Sequence, residues 1–241
     1  MKSIFKKYLS KKNTDFIKNK ILIYVKGYAK KSYSQEGEDM ILRRIFENQN
    51  KGFYVDVGSH HPKLFSNTYF FYNIGWNGIN IDAMPGSMSL FKKIRGRDLN
   101  IEKAISSKKQ VLTYYSFNEP ALNGFSKELS ENNVLKGYRI ECTKDIETYT
   151  LEEILDTYLP SNKIIDFLNV DVEGLDFDVI KSINFTKYRP KIILVEIFNK
   201  NFLGFTISDI IKSDICSYLV SEDYTLFAKS LNTVIFKSNR F

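Results

Sequence analysis

Two carboxylates two residues apart, Asp171 and Glu173, follow the most apolar segment of the chain, Ile164–Val170. A nearly continuous apolar run of this length is typical of a strand buried on both faces of a parallel sheet. An i, i+2 spacing points both side chains the same way if the strand continues. Two acids held together are costly unless they meet a cation, a metal or a shared proton. We therefore expect both to be catalytic: they could orient a reacting hydroxyl, remove its proton, or hold a divalent ion that lowers its pKa.

His60 and His61 are the two histidines of the chain, and they follow a second apolar segment, Phe53–Val57. The imidazole titrates near neutral pH, so either ring could act as a base, and we predict that role for His61. His61 could also join Asp171 and Glu173 as a metal ligand, in a site that suits Mg²⁺ or Mn²⁺ more than a closed zinc site. The alternative is structural, because one ring of an adjacent pair in a turn often caps the helix that follows.

One glycine and one distant acid predict where a nucleoside binds. Gly58 lets a ligand approach the backbone closely, and Asp82 ends the next strand 24 residues later. In dinucleotide-binding folds an acid near that spacing hydrogen-bonds the ribose hydroxyls. A pyrophosphate also needs the spaced glycines of G-x-G-x-x-G, whereas two histidines and a proline fill this turn. A nucleoside without a pyrophosphate fits better, which favours S-adenosylmethionine over a dinucleotide.

These residues are positioned by strands that alternate with helices. The predicted strands are Phe53–Val57, Gly78–Asp82, Leu99–Ile105, Ile164–Val170, Lys191–Ile197, Tyr224–Ala228 and Thr233–Phe236. Only Lys229–Asn232 separates the last two strands, and a parallel crossover needs about a dozen residues, so this pair must form an antiparallel hairpin. We predict an α/β fold with a mostly parallel seven-stranded sheet and an antiparallel strand at its C-terminal end.

The helices and one insertion complete the expected architecture. Helices are predicted at Ser34–Phe46, from Ser66, and at Ser87–Ile94, Thr150–Tyr158, Leu175–Ser182 and Ser208–Val220. Thr150 and Glu153 have the spacing of a capping box. Residues 108–146 break the alternation with two strands, Val111–Phe117 and Tyr138–Thr143, around a polar loop. We interpret them as an inserted hairpin that forms a lid.

The positive charge is concentrated at the N-terminus. Residues 1–31 hold ten lysines and one acid, a local charge of +9, so the rest of the chain carries −2 of the total of +7. Apolar residues at helical spacing predict an amphipathic helix over residues 14–29, which could pack on the domain, lie on an anionic membrane surface or bind a partner. We divide the chain into an arm, residues 1–33, and one domain, residues 34–241. The localised charge does not favour nucleic-acid binding by the whole chain, and we expect no such partner.

The sequence shows neither a membrane span nor an export signal. No apolar run approaches the ~20 residues that span a bilayer, and Ile21–Val25 is too short for a signal-peptide core. Cys142 and Cys216 have no metal or redox spacing, which is typical of a reducing compartment. We expect a cytoplasmic protein, with self-association and peripheral contact of the arm with the inner membrane face as open options.

Several ordered motifs point to one family. They are SQEGED at Ser34–Asp39, FYVDVGSHHP at Phe53–Pro62, SNT at Ser66–Thr68, GINID at Gly78–Asp82, ALN at Ala121–Asn123 and DFLNVDVEG at Asp166–Gly174. Spread over roughly residues 32–198, they resemble FkbM-type methyltransferases. The resemblance implies a class I Rossmann-like fold and an S-adenosylmethionine enzyme that O-methylates sugars, glycan components or polyketide-type molecules. The chain departs from many class I enzymes in the first loop, where histidines stand in place of a second glycine.

The resemblance also implies the roles of the residues at the strand ends. Asp56 and Gly58 would lie against the methionine part of the cofactor, and Asp82 would bind the ribose. Beside the adenine we expect Glu102, Ala104 and Ile105, and the cofactor-binding set is completed by Ser59 and Ala83. Two of these assignments have alternatives, since Asp56 could bond loop amides and Glu102 could be a solvated charge.

The acceptor is expected to contact His60, Asn123, Ser126 and Glu196. Asn123 and Ser126 are chosen because sugars need neutral donors and acceptors, and a solvated loop is the alternative for these two. The predicted function is O-methylation of a sugar or glycan precursor, for example a nucleotide-activated sugar of a surface polysaccharide. Two rivals are a nucleic-acid methyltransferase and a non-catalytic cofactor-binding module. The first usually has a proline-aromatic motif after the fourth strand, where this chain has Glu173–Leu175. The retained acids argue against the second.

Overall fold

The structure is a computed structural model that describes residues 29–197 and 206–241. The chain divides into two units, Met1–Ser32 and Tyr33–Phe241, and the second carries the fold. The helix predicted over residues 14–29 lies outside the described residues, apart from its last position. Within the described part of the chain, no helix has the length and apolar character needed to cross a membrane.

Strands and helices alternate as the sequence predicts. The strands are β1 (Phe53–Val57), β2 (Asn77–Asp82), β3 (Leu99–Glu102), β4 (Ala104–Ile105), β5 (Gln110–Phe117), β6 (Ile140–Tyr149), β7 (Phe167–Val170), β8 (Ile192–Glu196), β9 (Tyr224–Lys229) and β10 (Thr233–Ser238). The helices are α1 (Glu38–Ile45), α2 (Tyr69–Asn73), α3 (Met88–Ile94), α4 (Lys127–Leu135), α5 (Leu151–Tyr158), α6 (Asp176–Lys181), α7 (Ile207–Ile211) and α8 (Asp214–Ser221). Thr150 and Glu153 form the predicted capping box of α5.

The main sheet has the order β3-β2-β1-β7-β8-β10-β9 among the described residues. Strands β3, β2, β1, β7 and β8 are parallel, and β10 runs antiparallel to both β8 and β9. This confirms the predicted Rossmann-like α/β fold with a seven-stranded, mostly parallel sheet. The chain order reverses between β1 and β7, and ligands of open α/β sheets bind at such a switch point.

The core lies on both faces of this sheet. Strands β1 and β7 are buried along their whole length. Val55 belongs to one apolar cluster and its neighbour Tyr54 to a second. Adjacent residues of a strand point to opposite faces, so the two clusters cover the two faces. Polar residues at the strand ends are therefore held by a rigid, doubly covered sheet.

Several predicted elements have different bounds in the structure. The third strand ends at Glu102, and Ala104–Ile105 pairs with β6 in a second sheet. The last predicted helix is two helices, α7 and α8, because the Ser213 hydroxyl accepts the Cys216 amide at 3.1 Å and starts a new helix. Helix α1 begins at Glu38, after Gly37 at φ +89°.

The insertion is confirmed as an antiparallel hairpin, β5 with β6, in a small sheet of order β4-β6-β5. Its connection is not the polar loop that the sequence suggested. It contains a short 3-10 helix, Pro120–Leu122, and the helix α4, which is capped by Ser126. Helix α4 carries few apolar residues, so the sequence periodicity gave no signal for it.

Candidate active site

A cavity of about 1010 Å³ opens at the carboxyl ends of β1, β2 and β7. One wall is made by the loops that follow these strands, including Gly58, Asp82 and Asp171. The facing wall belongs to the insertion, which contributes Tyr114 and residues of the segment 120–136. The site therefore lies at the topological switch point and beneath the inserted hairpin.

Gly58 is required by backbone packing. Its φ is +81°, and a Cβ at this position would lie 1.7 Å from the Asp171 carbonyl oxygen. The amides of Gly58 and Ser59 donate to the Ile81 carbonyl at 2.9 and 3.1 Å, which ties the loop to β2. The glycine thus brings the loop after β1 against the end of β7, where the acids begin.

We expect Gly58→Ala to lower the free energy of unfolding by about 3 kcal/mol or more, since strain and overlap add. Gly137→Ala is the matched control, because Gly137 has φ +96° but no atom within 4 Å of an added Cβ. It should cost only about 1 kcal/mol in chemical denaturation. Equal losses in both variants would show that the close approach to Asp171 is not what requires glycine.

Asp82 fixes two loop amides and still faces the cavity. Its Oδ2 accepts the His60 amide and its Oδ1 the Met84 amide, each at 2.8 Å. Burial raises the pKa of Asp82, and these amide bonds act in the opposite direction. Each oxygen keeps a lone pair for a further donor, so the carboxylate is pre-oriented for a diol such as ribose.

Of the residues expected near the adenine, the structure places only some at the cavity. Ile105 lines it, as does Ala83 of the wider cofactor-binding set, whereas Ala104 is buried and does not. Glu102 does not line it; its carboxylate accepts the Gly86 amide at 2.9 Å on the surface. The insertion adds Tyr114 to the cavity wall. This contact could not be predicted, because no nearby sequence motif shows that a strand of the insertion faces the site.

Asp56 is buried and has side-chain partners on both oxygens. Thr68 Oγ1 donates to Oδ2 at 2.8 Å, and Asn169 Nδ2 donates to Oδ1 at 2.9 Å. Burial raises the pKa of Asp56, which these bonds oppose. The partners are thus side chains rather than loop amides. Nearby, the buried Ser59 hydroxyl lines the cavity and has no hydrogen-bond partner among the described residues.

Three carboxylates converge at the other end of the cavity. Oxygens of Asp171, Glu173 and Glu196 lie within 4.8 Å of one another. The expected pair is therefore together, and Glu196 joins it from β8 because β7 and β8 are adjacent in register. The Asp171 side chain is open to the cavity, but desolvation by the protein around it, opposed by the bond to Glu196, raises its pKa to about 6. Burial and the charges of Asp171 and Glu173 raise the pKa of Glu196 to about 12, so Glu196 holds a proton at neutral pH.

The turn that carries these acids is held in an unusual conformation. Glu173 has φ +53° and Gly174 has φ +100°. Both oxygens of Asp176 accept amides of this turn, from Val172 and Gly174, at 3.1 Å. Gly124 of the insertion packs against Glu173, where a Cβ would lie 3.0 Å from the Glu173 Cβ. The insertion and the buried Asp176 together set the position of Glu173.

The structure separates the two histidines. His61 Nδ1 accepts the amides of Lys63 and Leu64 at 3.1 and 2.9 Å, and the ring does not line the cavity. The His61 ring is therefore structural, as the alternative held, but it binds the amides of a turn and caps no helix. Glu196, not His61, is the third member of the acidic group. His60 lines the cavity, as expected for the acceptor side, with its ring stacked 6.3 Å from that of Phe65. Burial lowers the pKa of both rings.

Asn123 and Ser126 also line the cavity, and both have structural bonds. Asn123 Oδ1 accepts the Phe117 amide at 2.7 Å, while Ser126 Oγ accepts the Leu129 amide at 3.2 Å to cap α4. Asn123 keeps its amide nitrogen near the sulfur of Met84, at 3.4 Å. Both side chains are thus fixed at the wall of the site.

The sheet order, the cavity at its switch point and the acid at the end of β2 define the class of Rossmann-like methyltransferases. A model of the methyltransferase FkbM domain matches residues 56–224. Because the match spans more than half of the 241 residues, the chain belongs to the FkbM methyltransferase family. A search of curated proteins found no match. The family resemblance of the sequence motifs is thereby confirmed.

Proposed function

We propose that this methyltransferase uses S-adenosylmethionine to methylate a hydroxyl of a sugar or glycan precursor. The observation that carries the proposal is the placement of two unlike groups in one cavity. The Asp82 carboxylate and the Gly58 loop occupy one end, and the acids Asp171, Glu173 and Glu196 occupy the other. The first group suits a nucleoside, and the second suits an acceptor that must lose a proton.

The residues present fit the cofactor. The Ser59 hydroxyl is a buried polar group with no partner among the described residues, so it is available to bond a ligand. Asp82 offers two oriented oxygens, and Ile105 with Tyr114 gives an apolar surface for a base. When bound, the cofactor supplies an electrophilic methyl group on a sulfonium. The chain must then orient the acceptor oxygen and take its proton.

Asp171 is the base that this geometry favours. With a pKa of about 6 it is ionised at neutral pH, whereas Glu196, with a pKa of about 12, keeps its proton. The acceptor hydroxyl would donate to the Asp171 carboxylate, which the protonated Glu196 also bonds and so holds in place. As the methyl group is transferred, the proton passes from the acceptor oxygen to Asp171. A divalent ion on Asp171, Glu173 and Glu196 is the alternative, and it would activate the same oxygen.

The cavity wall is rich in side chains that bind hydroxyl groups. It carries the neutral amide side chains of Gln35, Asn123, Asn132, Asn133, Asn169 and Asn232. Amides both donate and accept, as sugar hydroxyls require. A phosphate close to the three acids would be repelled. Because Lys103 and Lys136 also line the cavity, nucleotide-activated sugars stay beside uncharged sugars and glycosides as candidate acceptors.

Calorimetric titration with S-adenosylmethionine, followed by a turnover screen, tests the proposal. Acceptors would include free sugars, methyl glycosides, nucleotide-activated sugars and oligonucleotides, each with EDTA or with added Mg²⁺ or Mn²⁺. A folded protein that fails to bind the cofactor would contradict the cofactor assignment. Binding without turnover of any acceptor class would favour the non-catalytic module. Turnover of oligonucleotides alone would favour the nucleic-acid enzyme.

The basic arm is proposed to be separate from catalysis. The first predicted family motif begins only at Ser34. We expect a chain lacking residues 1–28 to bind S-adenosylmethionine with unchanged affinity. The loss would fall on stability, self-association or binding to anionic vesicles, with each lysine near such a surface worth about 1 kcal/mol. A truncated chain that folds but does not bind cofactor would place the arm in the active site.

A further inference from the structure

We propose that Arg95 is a positioning residue of the cofactor site, which acts through the Thr68 hydroxyl on Asp56 and through the Pro62 carbonyl on the loop after β1. Arg95 follows α3 and is fully buried, with 0% of its surface exposed. Burying a guanidinium costs free energy unless its N–H groups are hydrogen-bonded. The groups that Arg95 binds therefore indicate which parts of the structure it positions.

Part of the guanidinium serves the interior of the sheet. Arg95 Nε donates to Asp98 Oδ2 at 2.9 Å, and Arg95 Nη2 donates to the Tyr54 hydroxyl at 2.7 Å. Asp98 also accepts the Tyr54 hydroxyl at 2.7 Å and the Gly78 amide at 2.9 Å. The charge of Arg95 is therefore balanced by Asp98, and the pair is anchored to β1 and β2.

The remaining donors lead to the cavity. Arg95 Nη1 donates to the Pro62 carbonyl at 3.1 Å, in the loop that carries the two histidines. Arg95 Nη2 donates to Thr68 Oγ1 at 3.1 Å, and the same hydroxyl donates to Asp56 Oδ2 at 2.8 Å. A hydroxyl that accepts from a cation becomes a better donor, so this chain of bonds strengthens the hold on Asp56.

The second oxygen of Asp56 is fixed from the opposite side. Asn169 Nδ2 donates to Asp56 Oδ1 at 2.9 Å, and Asn67 Nδ2 donates to Asn169 Oδ1 at 2.9 Å. The motif residues Asn67 and Thr68 therefore hold the two sides of one carboxylate. Burial raises the pKa of Asp56, while Thr68, Asn169 and the charge of Arg95 lower it and so favour the ionised form.

The inference rests on the proposed function in one respect, namely that the ligand facing Asp56 is S-adenosylmethionine. Asp56, Asn169 and the loop after β1 all line the cavity, so their geometry sets the surface that the cofactor meets. Without the Thr68 hydroxyl, Asp56 would lose one of its two bonds and its link to Arg95. A misplaced carboxylate weakens binding even when the sheet remains folded.

Thr68→Val is the sharpest test, because it removes only the hydroxyl and keeps the shape. We expect it to weaken S-adenosylmethionine binding about tenfold in calorimetry, the loss expected for one hydrogen bond to a charged group. Thr68→Ser should restore affinity to within about twofold of the parent. Thr113→Val is the matched control: Thr113 Oγ1 also donates to an aspartate, Asp145 at 2.9 Å, but on the exposed face of β5. It should bind cofactor normally.

Arg95→Lys provides the second measurement. A lysine keeps the charge but cannot reach Asp98, Pro62 and Thr68 together, so affinity should fall further. In the double variant that combines Arg95→Lys with Thr68→Val, the loss of cofactor affinity should be smaller than the sum of the two single losses. Both substitutions break the same chain of hydrogen bonds to Asp56. Without cofactor, the NMR signals of His60 and His61 should shift in Arg95→Lys, since the Pro62 bond holds their loop.

A folded Thr68→Val protein that binds S-adenosylmethionine like the parent would overturn the relay to Asp56. Unchanged histidine signals in a folded Arg95→Lys protein would overturn the hold on the loop. If the parent itself does not bind S-adenosylmethionine, the proposed function fails instead. The histidine signals would then still test the hold of Arg95 on the loop, because they need no cofactor.

Discussion

Replacing Asp82 by alanine is expected to weaken S-adenosylmethionine binding about 100-fold. Two hydrogen bonds from ribose hydroxyls to a carboxylate are worth about 3 kcal/mol together, and each 1.4 kcal/mol is a factor of ten. The side chain also holds the His60 and Met84 amides at 2.8 Å, so its loss loosens both loops that line the cofactor end. Calorimetry on the purified variant measures the affinity, and circular dichroism checks that it is folded.

Glu102→Ala is the matched control for this change. Glu102 lies opposite Asp82 on the neighbouring strand β3, but its carboxylate is bonded to the Gly86 amide outside the cavity lining. Its removal should change the affinity by less than about twofold. A folded Asp82→Ala protein with unchanged affinity would show that the cofactor does not use this acid. Equal losses in both variants would point to a general effect of charge at this sheet edge.

The framework of the site follows from the sequence because it depends on local rules. Alternating strand and helix signals require a parallel sheet, and the short segment between β9 and β10 requires an antiparallel hairpin. Asp82 and Asp171 stand at the carboxyl ends of predicted strands, so their location at the edge of the sheet can be predicted from the sequence. The capping box of Thr150 and Glu153 is equally local, and the structure confirms it.

Details that depend on backbone turns or on distant partners could not be predicted in this way. His60 has φ +50°, and this turn sends its ring into the cavity while the ring of the adjacent His61 caps the loop. Nothing in the sequence marks that conformation. The role of Arg95 rests on bonds to Pro62 and Thr68, 33 and 27 residues away in the chain. Glu196 lies near Asp171 because β8 pairs with β7, and the sequence alone does not show that pairing.

Replacing Asp171 by asparagine is expected to lower kcat by about 10²- to 10⁴-fold, the usual contribution of a general base. The parent should lose activity as the pH falls through about 6, the pKa to which desolvation raises this carboxyl, because the protonated form accepts no proton. The variant should lack this acid limb. Glu196→Gln should retain the limb, since Glu196, with a pKa of about 12, is already neutral at these pH values.

The stability of Asp171→Asn should change in the opposite direction to its activity. The folded protein raises the pKa of Asp171 from 3.8 to about 6, so folding favours the neutral form. The stability that this neutral form contributes is complete below the unfolded pKa and is lost as the pH rises through about 6. An asparagine cannot ionise, so the variant should melt higher than the parent at pH 8, by only about 2 to 4 °C because solvent screens the exposed Asp171 side chain. The two proteins should converge near pH 4.

Asp178→Asn is the control for removing an acid near the same turn. Asp178 pairs with Lys181 at 3.1 Å on the first turn of α6 and does not line the cavity. Its removal should leave kcat and the acid limb of the activity profile unchanged. If Asp171→Asn melts at a higher temperature but keeps the parental kcat, the raised pKa of Asp171 results from desolvation alone. Asp171 would then have no part in the mechanism. If EDTA abolishes parental activity and Mg²⁺ restores it, the acids hold an ion, and the acid limb then reports protonation of its ligands.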